Sequence, residues 1–533
     1  MTDSDVDVVV VGAGLGGLTT TMFLAQQDVR VLLVERHPGT SLHPKAAGQN
    51  PRTMELLRIG GIADEVRHTS DIRGQQGDFT IRVAESIGGK VLHTFAESLD
   101  ELVGATAAAT PMPWALVAQD RMEPILLANA SKHGAQVRYG TELVDFAQDD
   151  GGVTVRLRDR ETAAERTVRA TYLVAADGPH SGVRQRLGIE RYGHGTLARF
   201  VGVIFEADLT SVLPPGSTGW YYLRNPHFTG NFGPTDRPNR HTFFVEYSPE
   251  RGDRAEDFTP RRYVELIRLA VNQPDLEPEL LDIQEWEMAA HIAHRWRDGR
   301  VFLVGDAAKV TPPTGGLGGN AAIGDGFDLA WKLAAVIGGE AGVGLLDSYE
   351  PERKFAAELV VGEALHVYAA RMAPHLLDQV PPGVGYGETI LGYRCRSGAV
   401  VLDDDPALVE DPLHPSGRPG FRAPHQWLTR DGERISTVHL FGAGWVLLAG
   451  AEGAEWCDAA RRAADELGVR LVAYRLGDEL LDPAGTLPEL YGLGAAGASL
   501  VRPDGVVAWR TDAAGAGRAG RVLRDVLGRV LSR

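Results

Sequence analysis

The stretch VDVVVVGAGLGGLTTTMFLAQQDVRVLLVE, which runs from Val6 to Glu35, decides the fold of the first part of the chain. Its valine run predicts a buried parallel strand, because such strands are apolar on both faces. Gly12, Gly14 and Gly17 follow at GxGxxG spacing. This spacing allows a tight turn, close approach of backbone to a pyrophosphate, and packing of a helix that begins near Leu15. The stretch therefore predicts a strand, turn and helix that bind a dinucleotide.

The second strand of this unit is predicted at Val29–Val34, and it ends in Glu35. A carboxylate at that place accepts hydrogen bonds from both ribose hydroxyls, and it repels a 2′-phosphate. The site is therefore predicted to bind FAD or NAD rather than NADP. Arg36, the next residue, is a further candidate for contact with the cofactor.

A second GxGxxG occurs near the end of the chain, at Gly492, Gly494 and Gly497. No strand precedes it, and a strand-like run, Ala498–Val501, follows where a dinucleotide site needs a helix. We interpret this copy as a loop.

Another glycine-bearing stretch, LVAADGPHSGVRQRLGI, runs from Leu173 to Ile189. Asp177 and Gly178 follow a predicted strand, and Asp177 is expected to cap the helix after it. Arg184 is a candidate for bidentate contact with a phosphate. An Asp-Gly pair alone is a common turn, so this assignment depends on its place between two other glycine-bearing stretches.

The third stretch, RVFLVGDAAKVTPPTGGLGGNAAIGDGFDLAWKL, runs from Arg300 to Leu333. Val301–Val304 predicts a buried strand, after which Gly305 lets backbone approach a ligand. Asp306 is placed to accept hydrogen bonds from ribitol or ribose hydroxyls. Pro312 and Pro313 then force an extended turn.

Glycines remove the side chains from the loop that opens the next helix, predicted at Ala321–Val336. Bare backbone at a helix N-terminus suits the N1–C2=O edge of a flavin, which carries negative charge when reduced. The loop is therefore predicted to bind a flavin rather than to be merely flexible. These glycines are Gly315, Gly316, Gly318 and Gly319.

The composition favours a cytoplasmic enzyme. A chain of 533 residues predicts two or three domains, and its net charge of −17 argues against nucleic acid and anionic membranes as partners. No run of 18 apolar residues occurs, and the acidic start MTDSDVD is unlike a signal peptide. Cys395 and Cys457 are too few for a disulfide framework or a zinc site, so no metal is expected.

Hydrophobic periodicity divides the rest of the chain. From Phe200 to Trp286 the period is mostly two, which predicts an antiparallel sheet interrupted by a polar loop at Asn225–Arg240. A helical region follows at Asp325–His375, with expected breaks near Gly338 and at Pro351. After Trp445 the pattern returns to strand, helix, strand and hairpin, with Asp504-Gly505 at the hairpin turn and a C-terminal helix.

The three glycine-bearing stretches occur in the order typical of one family. Over about Val6–His375 the chain resembles the FAD-dependent aromatic hydroxylases, which are single-component flavoprotein monooxygenases. KAAGQNPRTMELLRIGG and GDAAKVTPPTGGLGGNAAIGDGFDLAWKLA make it more similar to the polyketide hydroxylases of actinomycete antibiotic pathways. Within that group it most resembles the anthracycline hydroxylases that act on aklavinone, through RYGHGTL, TGWYYL and GPTDRPNRHT.

The resemblance implies an α/β fold (α+β overall) with a Rossmann-like FAD-binding domain, an antiparallel-sheet substrate domain and a C-terminal thioredoxin-like domain. No CxxC is present, so thiol redox chemistry is not expected in the C-terminal domain. The expected limits are 1–75, 106–192 and 283–400 for the FAD-binding domain with its long helices, 76–105 and 193–282 for the substrate domain, and 401–533 for the thioredoxin-like domain.

The resemblance also assigns cofactor contacts to residues of this chain. Glu35 is expected to bind the adenosine ribose, and Lys45 and Gln119 the FAD phosphate and ribityl region. NADPH is expected to visit transiently, and O2 to form a flavin C4a-hydroperoxide that hydroxylates the substrate. The remaining contacts are expected at the flavin: Asp306 with the ribitol, Pro313 on the peroxide side, and Gly318 and Asn320 at the pyrimidine edge.

Such a reaction needs a group that activates the substrate ring, because a phenolate is a better nucleophile than a phenol. Tyr221 and Tyr222 lie on a strand predicted to face the substrate cavity. Arg371 lies on the helix after the flavin motifs, where its cation would stabilise a phenolate. The other interpretation, which the sequence favours, is that Arg371 is a solvated helix residue.

The sequence leaves other functions open. A Baeyer–Villiger type of oxygen insertion into a polyketide would use the same fold, and so would a non-catalytic protein that binds flavin and sequesters an intermediate. The substrate, the ring carbon attacked, a preference for NADPH over NADH, and the choice between monomer and homodimer are not determined by the sequence.

Overall fold

The computed structural model describes residues 6–70, 79–98, 104, 106–213, 218–235, 237 and 239–533. The expectation for the acidic start, Met1–Asp5, lies outside these residues. So do the domain limits expected near residues 75 and 105. Among the described residues no helix has the length and apolarity needed to cross a membrane.

Twelve α-helices occur in the described part of the chain. In chain order they are α1 Leu15–Ala25, α2 Pro51–Ile59, α3 Ala63–Thr69, α4 Gln119–Lys132, α5 Gly182–Arg186, α6 Pro260–Val271, α7 Gly318–Ile337, α8 Tyr349–Arg371, α9 Tyr386–Leu391, α10 Ala454–Leu467, α11 Leu487–Leu490 and α12 Ala519–Val530.

The strands of the same residues form four sheets. In chain order they are β1 Val6–Val11, β2 Val31–Val34, β3 Phe79–Ala84, β4 Val91–Ala96, β5 Gln136–Arg138, β6 Thr141–Asp149, β7 Gly152–Asp159, β8 Glu165–Ala175, β9 Arg191–Glu206, β10 Thr218–Asn225, β11 Phe228–Pro234, β12 Arg240–Tyr247, β13 Glu279–Ala293, β14 Arg297–Asp298, β15 Val301–Leu303, β16 Lys309–Val310, β17 Trp427–Arg430, β18 Glu433–Ser436, β19 Trp445–Ala449, β20 Leu471–Arg475, β21 Ala498–Val501 and β22 Val507–Thr511.

The first sheet brings the three glycine-bearing stretches together. Its strands follow the order β14-β15-β8-β1-β2-β5, and the hairpin β6–β7 joins it through β8. The central strands are parallel, and Val11 pairs with Ala175, which also pairs with Leu303. Since β1, β8 and β15 all end at this row, the turns after them lie at one edge of the sheet. Ligands bind at this edge of such folds.

The second sheet is the expected, mainly antiparallel one, with the order β16-β13-β9-β12-β11-β10-β3-β4. The expectation of a polar loop at Asn225–Arg240 is wrong, because this segment contains β11, an inner strand of the sheet. Its sequence, FTGNFGP, is rich in turn-forming residues and gives a weak strand signal. Pairing with β10 on one side and β12 on the other supplies the stability that its composition lacks.

The second sheet is covered on both faces. One face packs on α6 through a core that includes Phe205, Phe243 and Tyr263. The other face packs on the C-terminal half of α8 through Phe200, Met288 and other apolar residues. Because α8 also contacts the glycine loop at Thr314–Gly316, this second face is the one turned towards that loop.

The long helical region has its break before Pro351 rather than at it. After α7 ends at Ile337, a 3-10 turn leads into α8, and Pro351 lies in the first turn of α8. Proline is tolerated there, because the first N–H groups of a helix have no intrahelical acceptor.

The C-terminal part has the expected order of elements. Strand β19 is parallel to β20 and antiparallel to β21, and β22 completes the sheet. The hairpin β21–β22 turns at Gly505, which has a φ of 78°. The second GxGxxG lies outside helices and strands and directly precedes β21, as the loop interpretation requires.

The hairpin β21–β22 also places a charged side chain inside the first part of the molecule. Arg502 is fully buried, and its guanidinium donates to both carboxylate oxygens of Glu352 on α8, at 2.7 and 2.8 Å. Lys332 on α7 donates to Glu352 at 2.9 Å and to Asp328 at 2.8 Å. The C-terminal part therefore contributes to the interior where α7 and α8 meet.

Candidate active site

The first turn has the geometry that a pyrophosphate site needs. Gly12 has a φ of 106°, and a Cβ there would lie 2.2 Å from the carbonyl oxygen of Ala176. A Cβ on Gly17 would lie 1.9 Å from the carbonyl oxygen of Gly12, so only glycine lets α1 pack this closely. A Cβ on Gly14 would meet nothing within 4 Å, and no described side chain caps α1. The N–H groups of α1 are therefore open to an anion.

Glu35 lies beside this turn, at the end of β2. Its Oε2 accepts a hydrogen bond from the backbone N–H of Ala13 at 2.8 Å. Its Oε1 accepts from the backbone N–H of His37 at 2.9 Å. Arg36 is exposed next to it. The carboxylate is thus fixed at the glycine turn, where a ribose attached to a bound pyrophosphate would reach it.

Gln119 is not free at the start of α4, because its amide donates to Glu123 at 2.6 Å. Glu123 also accepts from the backbone N–H of Ser41 at 2.7 Å, and burial raises its pKa. Lys45 is exposed and lies near enough to interact electrostatically with Glu123 and Asp306. The structure thereby brings the predicted Lys45, Gln119 and Asp306 into one region, together with Glu123, which sequence reasoning missed.

The turn after β8 differs from its expected role. Ser181 rather than Asp177 is the N-cap of α5, although Asp177 accepts from the backbone N–H of Val183 at 3.1 Å. Arg184 is buried, and its guanidinium donates to the carbonyl oxygens of Ala307 and Pro179, each at 3.0 Å. The expected bidentate contact of Arg184 with a phosphate is therefore wrong. Arg184 instead ties the second turn to the third.

The turn after β15 rests on a buried carboxylate. Asp325 of α7 accepts a hydrogen bond from the backbone N–H of Gly305 at 3.2 Å. It forms ion pairs with Lys309 and with Arg353, the second at 2.9 Å. Asp306, the next residue in the turn, is exposed, yet the surrounding protein desolvates it enough to raise its pKa. The side chain of Asp306 therefore points outward, while the buried Asp325 binds the backbone of the turn.

The glycine loop leads into the N-terminus of α7. Gly318, Gly319 and Asn320 occupy its first turn, and Ala321 is the first residue whose N–H bonds back along the chain, to Leu317. The side chain of Asn320 is committed to backbone, because it accepts from Asn50 and donates to Gly48 and Gly316. Asn320 can therefore contact the pyrimidine edge of a flavin only through its backbone N–H. Pro313 is exposed at the start of this loop.

Two candidates for activation of the substrate lie in contact. Arg371 ends α8, and its Nη1 donates to the hydroxyl of Tyr222 at 3.4 Å. Its guanidinium also lies 5.3 Å from the centre of the Phe95 ring, and its carbonyl accepts from Arg224 at 2.6 Å. Arg371 is half-buried, so it is not a fully solvated helix residue.

Tyr221 does not join this pair. It packs in the core on the α6 side, against Phe232, whereas Tyr222 packs with Ile81 and Val83 on the other face. Consecutive residues of a strand point to opposite faces, so the expectation that both tyrosines face the cavity is wrong. Strand alternation in the sequence was enough to separate them.

Asp325 is the main polar residue of the site that sequence reasoning missed. It lies in the run GDGFDLAW of the third glycine-bearing stretch, more than one helical turn after Asn320. Charged residues within a largely apolar helix, Asp325 among them, were the available signal, since such groups are buried only with partners.

The cysteines are inert in this structure. Both are buried, and burial raises the pKa of Cys457 to about 11 and the pKa of Cys395 further still. A thiol with a raised pKa is a poor nucleophile.

Comparison with known proteins covers both parts of the chain. A family model described as FAD binding domain matches residues 5–364, and one described as aromatic-ring hydroxylase, C-terminal, matches residues 416–533. Aklavinone 12-hydroxylase RdmE of Streptomyces purpurascens is 64% identical over 536 residues. The alignment covers 100% of this chain and 100% of RdmE. Aklavinone 12-hydroxylase DnrF of Streptomyces peucetius is 67% identical over 457 residues, which are 86% of this chain and 94% of DnrF.

The solved structures give the same picture. A ternary complex of aklavinone-11 hydroxylase with FAD and aklavinone superposes with a TM-score of 0.96 at 64% identity, over 100% of both chains. The similarity therefore includes the cofactor edge of the first sheet, the second sheet and the C-terminal part.

Proposed function

Because this chain belongs to the FAD-dependent aromatic-ring hydroxylases, we propose that it hydroxylates an anthracyclinone such as aklavinone, with NADPH and O2, in antibiotic biosynthesis. The contact between Arg371 and Tyr222 carries the proposal, because it places a permanent cation and a phenol on the α8 side of the second sheet. Relatives that act on aklavinone support the choice of substrate.

The residues at the cofactor edge fit FAD. The open N–H groups of α1 suit the pyrophosphate, and the fixed carboxylate of Glu35 suits the adenosine ribose. Asp306 is exposed for hydrogen bonds with the ribitol, and the first turn of α7 offers N–H groups to the pyrimidine edge. When bound, FAD supplies hydride acceptance from NADPH and activation of O2.

The protein's own contribution to the chemistry is to favour the substrate phenolate. The guanidinium of Arg371 stabilises a phenolate oxygen electrostatically, and the hydroxyl of Tyr222 donates a hydrogen bond to the same oxygen. Loss of the phenolic proton makes the ring carbons beside that oxygen electron-rich, so that they attack an electrophilic oxygen. Apolar neighbours of Tyr222, including Val83 and Met372, help to exclude water from the reacting atoms.

The test is incubation of the FAD-loaded protein with NADPH, O2 and aklavinone. We expect aklavinone to stimulate oxidation of NADPH and to gain one oxygen atom. NMR of the product then shows which ring carbon carries the new hydroxyl, and a parallel reaction with NADH measures the preference for the reductant.

The same experiment separates the alternatives. Baeyer–Villiger insertion gives a product of the same mass, but NMR shows an ester carbonyl in place of a new phenolic carbon. A non-catalytic flavin-binding protein gives no stimulation of NADPH oxidation and no oxygenated product. Either result would replace the proposed hydroxylation.

A further inference from the structure

A row of side chains crosses the second sheet on the face that α8 covers. Tyr222 pairs across strands with Asn231, Asn231 pairs with Phe244, and Phe244 pairs with Gly202. Directly paired residues point to the same face, with Cβ atoms about 4.5–5.5 Å apart. Asn231 is therefore the immediate neighbour of Tyr222, whose hydroxyl contacts Arg371.

The amide of Asn231 is buried without a complete set of partners. The residue is 7% exposed, and its Oδ1 has no hydrogen-bond partner among the residues that the structure describes. Its cross-strand neighbours are the aromatic residues Tyr222 and Phe244. A buried polar atom that lacks a partner is unfavourable in the free protein, so its presence points to a partner that arrives from outside.

Two aromatic rings lie close to the sheet around Asn231. A Cβ on Gly202 would lie 2.5 Å from a ring atom of Phe244, and a Cβ on Gly233 would lie 2.3 Å from ring atoms of Trp220. The two glycines therefore let both rings lie close against the sheet. The ring centres of Trp220 and Phe244 are 6.5 Å apart, tilted by 31°. This arrangement gives an aromatic floor with one amide beside Tyr222.

We propose that Asn231 binds an oxygen substituent of the fused-ring substrate, next to the oxygen held by Tyr222 and Arg371, and so fixes which ring carbon faces the flavin. The proposal rests on the proposed function. Rotation of the amide by 180° exchanges its NH2 and C=O ends, so Asn231 either donates to a quinone carbonyl or accepts from a phenolic hydroxyl. A second polar contact is needed because one contact leaves a flat molecule free to turn about it.

The experiment compares Asn231→Leu, Asn231→Ser and the parent protein in their FAD-loaded form. Titration with aklavinone in the absence of NADPH, followed by flavin absorbance, gives the dissociation constant. We expect an increase of about tenfold for Asn231→Leu, because a polar partner is lost, and partial recovery for Asn231→Ser. In turnover, KM rises more than kcat falls, and NMR detects hydroxylation at a second ring position.

Two controls separate a binding role from a structural one. Tyr221→Phe changes the opposite face of the same strand and leaves the dissociation constant at the parent value. Thermal unfolding of FAD-loaded Asn231→Leu without substrate occurs at or above the parent temperature, because the substitution removes an unpaired buried amide. A merely structural Asn231 would instead lower that temperature.

An unchanged dissociation constant and a single unchanged product for Asn231→Leu would overturn the proposal. Failure of the proposed function is a different outcome, since the parent protein itself would then yield no hydroxylated product. The titration does not require turnover, so it still measures the role of Asn231 in that case.

Discussion

At the scale of the residue, the proposed chemistry depends on how Arg371 is held. Its guanidinium contacts the hydroxyl of Tyr222 and the ring of Phe95, while Arg224 binds its backbone carbonyl. These contacts fix a cation beside a phenol at the C-terminal end of α8, where the partial negative charge of the helix also favours a cation.

Arg371→Gln is expected to retain FAD and to oxidise NADPH, but to give about tenfold less hydroxylated product per NADPH and more H2O2. The neutral side chain no longer stabilises the phenolate, so the ring reacts too slowly. Product and H2O2 are measured across pH, with Arg371→Lys as the control that keeps the charge. Equal coupling of Arg371→Gln and parent at every pH would place the activating group elsewhere.

Glu35→Arg is expected to weaken FAD binding a hundredfold or more. The variant loses a charged acceptor for two ribose hydroxyls, at about 1.5–3 kcal/mol for each hydrogen bond. It also loses the acceptor of the Ala13 N–H. The ratio of flavin to protein absorbance measures occupancy after purification, and Asp404→Arg, an equal change of charge at an exposed site, is the control. A yellow Glu35→Arg protein with full occupancy would contradict this placement of the ribose.

At the scale of the element, the sequence motifs predicted those turns and helices that local backbone geometry determines. The glycines after β1 and β15 and the helices that follow them lie where expected, because the φ angle or a close contact of most of these glycines admits few other residues. Contacts between distant elements were not predictable in this way. Arg184 satisfies carbonyl oxygens of two turns, and β11 owes its conformation to strands on both sides. The local sequence around Arg184 or β11 does not show which distant residues or strands each will contact.

Asp325→Asn is expected to destabilise the protein by about 3–5 kcal/mol, because Lys309 and Arg353 then lose the carboxylate between them. Urea unfolding measures the free energy, and FAD affinity falls with it as the turn at Asp306 loosens. The double variant Asp325→Asn with Lys309→Met removes one of the two stranded cations, so part of the loss is recovered. Asp64→Asn, at an exposed helix position, is the control. A single variant as stable as that control would show that the network is dispensable.

At the scale of the whole molecule, two buried ion groups join the C-terminal part to the rest. One is Arg502 with Glu352. The other is Arg422 with Glu55 of α2, whose carboxylate also accepts from Arg52 and from Thr110. Although burial raises the pKa of Glu55, the arginines Arg422 and Arg52 lower it more, to about 2.

Stability is therefore expected to depend on pH through Glu55. Its carboxyl titrates near 4.5 in the unfolded chain and near 2 in the folded protein, so its contribution is complete above about pH 4.5 and lost as pH falls to 2. The shift corresponds to about 3 kcal/mol. Urea unfolding of Glu55→Gln and parent should differ by about this amount at pH 7, and the difference should shrink towards pH 3. A constant difference would exclude this role.

The position of Arg502 has a consequence for synthesis of the protein. The ribosome completes Glu352 long before Arg502, which follows it by 150 residues and reaches the interior only when the last hairpin has emerged. Until then the carboxylates around Lys332 lack one of their cations. The buried contacts of α7, whose N-terminus is proposed to bind the flavin, are then incomplete. Capture of FAD is therefore expected after translation ends. A stop codon shortly before Arg502 should give a chain that quality control removes, rather than a shortened enzyme with part of its activity.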